Sequence, residues 1–372
     1  MELVFISPDP GGQAHVIETI ERPLAAPRAQ QKQLAWTLCA VAPSGWMHAV
    51  AECRGGFFHT PAGLQRSAPD GAPFFAQLES DGATIALAAG IWKRCRLSPL
   101  RRHVYLPTYP AFTDPGRHDA ALGALVRLLR EAGAAEFLLD SFDASDPTPD
   151  APAGADRCEW IQRQEYVVVI GQDRVLTGHG FSEHHRRHLK RAEMNGWTLR
   201  LPTGDAASAL LADAQGRAAA RAAKRGSAFT IRPWKAVAPG WPADSGEQVF
   251  AAYSGATPLS VALVGWANRR AYSVSAGSTS EGYALTSAVW LHWRIMRLLA
   301  EAGFASYNLG GTPLEATEPH HPLHGLYRFK SGFRPEVVRC RTIRRVLRRS
   351  HDYAHTVARR VQGWLRREVA TG

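Results

Sequence analysis

The segment "RLLREAGAAEFLLDS", Arg127 to Ser141, is written a second time as "RLLAEAGFASYNLGG", Arg297 to Gly311. Aligned without a gap, eight of the fifteen positions are identical at a fixed offset of 170 residues. Each copy reads as the end of a helix, a glycine stop and a strand, because glycine takes the left-handed conformation past a helix end without a Cβ clash. The surroundings match as well. In the first half, "PFFAQLESDGATIALAAGIWKR" reads as two strands about an Asp81-Gly82 hairpin turn, and "HVYLPTYPAF" as a third. A helix follows from about Asp119, which can cap it, to Ala132; Leu122, Leu125, Val126, Leu128 and Leu129 give it one apolar face. In the second half, "EQVFAAYSGATPLSVALVGWANRRAYSVSAGS" reads as three strands with turns at Ser254-Gly255 and Asn268-Arg269. The loop "STSEGYALT", a helix from about Ala284 to Ala302 and the strand "ASYNLGG" complete it. One corner in two matching contexts points to an internal duplication. The fold class expected is α/β (α+β): two tandem units, each a mixed, largely antiparallel sheet flanked by helices.

The 372 residues suit two units of about 150 residues. "DASDPTPDAPAGADR", Asp143 to Arg157, has no periodicity and reads as a linker. The expected division is therefore 1–145, a linker at 146–157, 158–340, and an Arg-rich helical tail at 341–372. Between these lie the strand "EYVVVIG", a basic helix from Ser182 to Asn195, the strand "WTLRLP" and an Ala/Arg-rich helix from about Ala206 to Lys224.

The net charge of +11 allows nucleic acid, an acidic membrane or an anionic substrate as partner. Its placement is more informative. Ten arginines and one acid, Asp352, lie between Arg339 and Arg367. Ile343, Val346, Leu347, Val357, Val361, Trp364 and Leu365 give the tail near-helical apolar spacing, with Arg344, Arg345, Arg348 and Arg349 among its basic positions. Such a tail could bind tRNA phosphates, lie on an anionic membrane, or be a solvated basic face. Five scattered cysteines without C-x-x-C spacing support neither a disulfide framework nor a zinc site. With no secretory leader and no apolar run of membrane-spanning length, a cytoplasmic protein without stable membrane insertion is expected.

Several stretches could carry chemistry. "AGSTSEGYALT" places Ser278, Ser280 and Gly282, with Tyr283, before a helix N-terminus, where free N–H groups can hold an anion. The acyl-CoA fingerprint Q/R-x-x-G-x-G/A is absent from both copies. "EPHHPLHGLYRF" gathers His320, His321 and His324 at a spacing that fits no standard metal site. Lys330 lies between Phe329 and Phe333 with Tyr327 nearby, in partly apolar surroundings where a charge is less screened. Asn308, Gly310 and Gly311 are poor choices for a plain buried strand, and Gly-Gly allows close approach to the backbone.

The order of elements resembles the GNAT acyltransferase fold, and two such units in tandem resemble the FemXAB-type aminoacyltransferases. "RRHLKRAEMNGWTLR", Arg186 to Arg200, is similar to that family's basic helix, and "LYRFKSGF", Leu326 to Phe333, to its F-K-x-x-F signature. The resemblance spans about residues 75–340. It implies transfer of an aminoacyl group from aminoacyl-tRNA to a small-molecule or peptidyl amine, with aminoacyl-tRNA as co-substrate and no further cofactor. By the same resemblance, Arg187 with Lys190 or Arg191 would contact acceptor phosphates, and Lys330 would lie near the reacting ester. His324 is a candidate proton acceptor. Gly310, Gly311, Asn308, Tyr283, Tyr327 and Phe329 are candidate substrate contacts. The diverged ends, "FLLDS" and "YNLGG", suggest that the second copy carries the working face. An acyl-CoA-dependent N-acyltransferase acting on a sugar or small-molecule amine is the alternative, and a non-catalytic RNA-binding protein a second one.

Overall fold

The computed structural model describes residues 35–80, 82–95, 98–114, 118–143, 158–224, 241 and 243–348. The first half runs β1 (Trp36–Cys39), α1 (Trp46–Glu52), α2 (Pro61–Ser67), β2 (Ala72–Ser80), β3 (Ala83–Cys95), β4 (Ser98–Leu106), β5 (Ala111–Phe112), α3 (His118–Glu131) and β6 (Ala134–Leu139). The second half opens with β7 (Cys158–Val169), α4 (Asp173–Leu176), α5 (Glu183–Met194), β8 (Thr198–Arg200) and α6 (Gly204–Lys224). It continues with β9 (Ser245–Ser254), β10 (Thr257–Ala267), β11 (Arg270–Ser278), α7 (Ser280–Ala284), α8 (Ser287–Glu301), β12 (Ser306–Pro313), α9 (His324–Ser331) and β13 (Glu336–Val346).

The repeated segment is the same corner in both places. α3 gives way at Gly133 (φ 102°) to β6, and α8 gives way at Gly303 (φ 74°) to β12. Each strand then lies parallel to a strand from before its helix: β6 beside β4, β12 beside β11. These are the two parallel pairs among the described strands; the other pairings are antiparallel. The helical spacing seen in α3 is real burial: Leu122, Leu125 and Leu129 are fully enclosed, each worth roughly 1.5–3 kcal/mol. Asp119 lies within α3 rather than at its cap.

The strands form one sheet in the order β1-β2-β3-β4-β6-β13-β7-β12-β11-β10-β9-β8, with β5 beside β3. The two halves meet through one strand, β13. β7, which follows the first half in sequence, pairs with β12, whereas β13, the last described strand, pairs with β6 and β7. A core around α3 lies in the first half and one around α8 in the second, and Ile343 and Leu347 belong to the first. Further ties cross between the halves. Arg66 of α2 donates to Glu247 of β9 (2.8 Å from Nε), and Asn268 donates to the carbonyls of Val50 and Gly55 (2.8 and 2.7 Å).

One expectation is overturned here. The tail was expected to be helical from residue 341, but 341–346 are strand. Ile343 is buried beside Trp160 and Leu139, the neighbours that β13's pairing gives it, while Arg341, Arg344 and Arg345 around it are half-buried. The expected linker at 146–157 and the tail from 349 onward, including Arg349, lie outside the described residues.

Candidate active site

β11 and β12 are paired at three positions, Arg270–Ser306, Ala271–Tyr307 and Tyr272–Asn308. Beyond Tyr272 and Asn308 they part. β11 stays with β10 as far as Ser278, and β12 stays with β7 as far as Pro313. The result is a wedge opening at the carboxyl ends of two parallel strands. Both walls are bulged at its apex: Val274 is the extra residue of β11 against β10, and Leu309-Gly310 together oppose Tyr166. Bulges re-aim backbone groups and concentrate at reaction sites. The first half has no such opening. There β4 and β6 pair to Leu106–Leu139, and hydrogen bonds continue from Asp140 N to Leu106 O (2.8 Å) and from Phe142 N to Pro107 O (3.0 Å).

Lys330 reaches this wedge from α9. It is a helix residue, 7% exposed, whose Nζ donates to Gly311 O at 2.9 Å. A Cβ built on Gly310 would lie 3.3 Å from the Tyr272 hydroxyl, 3.5 Å from Lys330 Nζ and 3.7 Å from Ser273 O. Atoms of α9, β11 and β12 therefore converge just past the last parallel pair. Burial pulls the Lys330 amine down to about 7; the nearby Glu165 carboxylate opposes that shift and the Arg163 guanidinium adds to it.

Beneath the wedge lies a charge cluster that sequence reading missed. Glu165 is fully buried and accepts from Arg163 Nη2 (2.9 Å), Tyr272 OH (3.1 Å) and Asn308 Nδ2 (2.8 Å). Burial raises the pKa of its carboxyl group, with Arg163 and the Asn308 bond opposing. Burial, and next the Glu165 charge, hold the Tyr272 phenol neutral. The signal was present in "RQEYVVV": Arg163 and Glu165 are two apart, so a strand places them on one face as a pair.

The expected residues divide into groups. Asn308 is 2% exposed, and its side chain is committed inside the fold, to Glu165 and to Gly310 N (2.8 Å). The glycine pair does admit close approach, but by the protein itself: a Cβ on Gly311 would meet Arg163 Nη2 at 2.5 Å and Gln164 O at 2.7 Å. Phe329 is core, its ring packed on His185, His292 and Phe333 and its carbonyl bonded to His185 Nε2 at 2.9 Å. Tyr327 lies at a tilt beside Tyr166, with ring centroids 6.4 Å apart. His324 is not brought to Lys330. It starts α9, with Nδ1 3.2 Å from Ala316 O, and six helical residues displace it by about 9 Å along the axis and about 120° around it.

Two residues of the expected donor loop are engaged within the fold. Ser278 is buried with its hydroxyl 2.8 Å from that of Ser260. Gly282 gives its N–H to Thr279 Oγ1, and a Cβ there would run into Leu259 O at 1.9 Å. Ser280 begins α7, and Tyr283 is exposed with Arg221 5.1 Å from its ring centroid. Arg187, Lys190 and Arg191 stand exposed on α5, which is fastened to the end of α9 by Ser182 N to Gly332 O (2.8 Å) and by His185. Of the tail arginines, Arg344 is spoken for by Glu136 and by Glu159 (3.1 Å), Arg345 lies in β13, and Arg348 reaches Arg130 O at 3.3 Å. Their expected role on tRNA as one helical face is not what this strand offers.

Residues 180–331, from the start of α5 to the end of α9, match the family model described as an acetyltransferase (GNAT) domain. Among solved structures, the chain is similar to FemX, with 13% identity, 75% of this chain and 89% of that chain covered, and a TM-score of 0.55. It is also similar to a conserved protein of unknown function from Bacteroides thetaiotaomicron VPI-5482, with 9% identity, 83% and 99% covered, and a TM-score of 0.51. A tandem GNAT protein from the clavulanic acid biosynthesis pathway aligns at 14% identity, 84% and 97% covered, and a TM-score of 0.44. No curated protein matches the chain by sequence. At these identities the structural likeness is one of fold. The matched residues 180–331 include β11, β12 and Lys330, and the chain has a mixed sheet of GNAT-like fold.

Proposed function

We propose that the protein transfers an aminoacyl group from aminoacyl-tRNA to an amine acceptor, with the reacting carbonyl in the wedge between β11 and β12. The supporting observation is Lys330, a buried amine delivered to the apex of that wedge. In this reaction the acceptor nitrogen attacks the ester carbonyl, and negative charge builds on its oxygen. The C–O bond to the ribose then breaks, the leaving hydroxyl takes a proton, and the attacking nitrogen gives one up. Charge on the carbonyl oxygen is relieved by a fixed N–H donor or cation, commonly worth about 3–4 kcal/mol. Lys330 can serve in that role, and its lowered pKa lets it pass a proton near neutral pH.

The choice of donor is supported by the α8 entrance. It lacks the pyrophosphate-binding fingerprint, and its small residues Ser278 and Gly282 are used internally. The exposed basic row Arg187, Lys190 and Arg191, which the resemblance gives to acceptor phosphates, is equally open to the phosphates of a tRNA. An acyl-CoA donor is the second reading, favoured by the acetyltransferase domain match. A transfer assay with total charged tRNA and a pool of amines, read by mass spectrometry, separates the two. Amide product that vanishes on RNase treatment of the donor is expected. Product from acetyl-CoA with none from charged tRNA would overturn the tRNA reading.

A further inference from the structure

A carboxylate with no exposure and three donors is an unusual thing to keep in a sheet. A buried ion pair seldom stabilises a fold more than well-packed apolar groups do, so its retention calls for another role. The donors to Glu165 come from three different strands: Arg163 from β7, Tyr272 from β11 and Asn308 from β12. The last two are the final parallel pair before the wedge opens. From Asn308 the connection runs on: its Oδ1 holds Gly310 N, Gly310 takes φ 74° at the bulge, and the next carbonyl, that of Gly311, receives Lys330 Nζ.

We propose that Glu165 is the positioning residue of this site: its carboxylate ties the two walls of the wedge at their apex, fixes the bulge on which Lys330 rests, and supplies the negative charge that offsets Arg163 beside Lys330. The inference rests on the reading of Lys330 as a working group. Several elements present titratable groups here: Arg163, Glu165 and Tyr166 from β7, Tyr272 from β11 and His292 from α8. Tyr166, Tyr272 and His292 are held neutral at ordinary pH by burial, with His292 pulled down to about 3. Asp143, also buried, acts on Glu165 as a second carboxyl group, and His185 of α5 lies behind His292 and is likewise held low, at about 4. Among the described groups acting on Lys330, the principal charges are therefore Glu165 and Arg163.

The test is Glu165→Gln, with the Lys330 amine followed directly by carbon NMR of its ε-methylene and assigned through Lys330→Arg. Removing the negative neighbour disfavours the ammonium, so the Lys330 midpoint should fall by about one pH unit or more, and the matching limb of the kcat/KM profile should fall with it. An unshifted midpoint, with only thermal stability lost, would make Glu165 merely structural and overturn the proposal. Tyr272→Phe keeps the carboxylate and its Arg163 pair while cutting the tie to β11. It should lower kcat roughly tenfold, about 1.4 kcal/mol, with KM for the acceptor retained, since the bond it cuts is to a charged group. Wild-type kcat in that variant would also overturn the tie, and it serves as the test if Glu165→Gln does not fold. Full turnover by Lys330→Met would instead sink the reading of the site itself, a distinct failure.

Discussion

Lys330 makes a prediction that can be read without knowing any substrate. Its amine is lowered from an ordinary 10.5 to about 7, chiefly by burial. In the unfolded chain the lysine keeps its proton up to its ordinary value, whereas in the folded protein it gives the proton up near 7. Between those values the unfolded state binds more protons, so folding stability rises with pH. The full span is about 5 kcal/mol at about 1.4 kcal/mol per pH unit, and between about pH 7 and pH 9.5 it is about 3 kcal/mol. Lys330→Met keeps the buried stem and removes the proton site. It also strips Gly311 O of its donor, a loss of about 1–3 kcal/mol that does not vary with pH and so drops out of the comparison. Urea unfolding of both proteins at the two pH values gives the double difference. Wild type should gain about 3 kcal/mol on the variant between them. Parallel pH dependence in the two proteins would refute the claim that Lys330 is buried as an amine with a displaced proton equilibrium.

Gly311→Ala pushes a methyl against the Gln164 carbonyl at 2.7 Å, so a loss of about 1–3 kcal/mol is expected, and an unchanged urea midpoint would refute the packing described. Arg344→Leu leaves Glu136, a buried carboxylate, without its guanidinium; calorimetry should show about 3 kcal/mol lost, and a Tm within error of wild type would argue against that pairing. Reversing Arg187, Lys190 and Arg191 to Glu together should leave folding within about 0.5 kcal/mol, as these side chains are exposed. If tRNA is the donor, the same change should flatten the salt dependence of its binding by about 2–3 in log–log slope, and an unaltered slope would take α5 out of the interface.

The duplication and most of the local elements were readable in the sequence. The hairpins, the glycine stops at 133 and 303 and the caps at Ser182 and Asn195 are local signals, and local backbone preference is what a sequence states directly. The insertion of β13 between the halves was not readable. Nothing within "VVRCRTIRRV" says that its partners are β7 and β6, and a short run with apolar residues three and four apart fits a helix as well as a strand. The site was half legible. Lys330 stood out by its apolar neighbours, and Gly310-Gly311 by their poor fit to a strand. Glu165 did not stand out, because its meaning lies in Tyr272 and Asn308, more than a hundred residues away in the chain.

The place of β13 between the halves also bears on how the chain is made. Ser141, just past β6, meets its partner Arg341 across 200 residues of sequence, and Glu165 meets Asn308 across 143. At about 5–20 residues per second, the ribosome needs roughly 10–40 s to deliver β13 after β6 has emerged. Through that interval the nascent first half carries an unpaired strand edge, the kind of surface that invites wrong partners. Contacts so distant in sequence also slow the search for the native pairing. The two copies are thus one unit of assembly, and the sheet cannot close before residue 346 has left the ribosome.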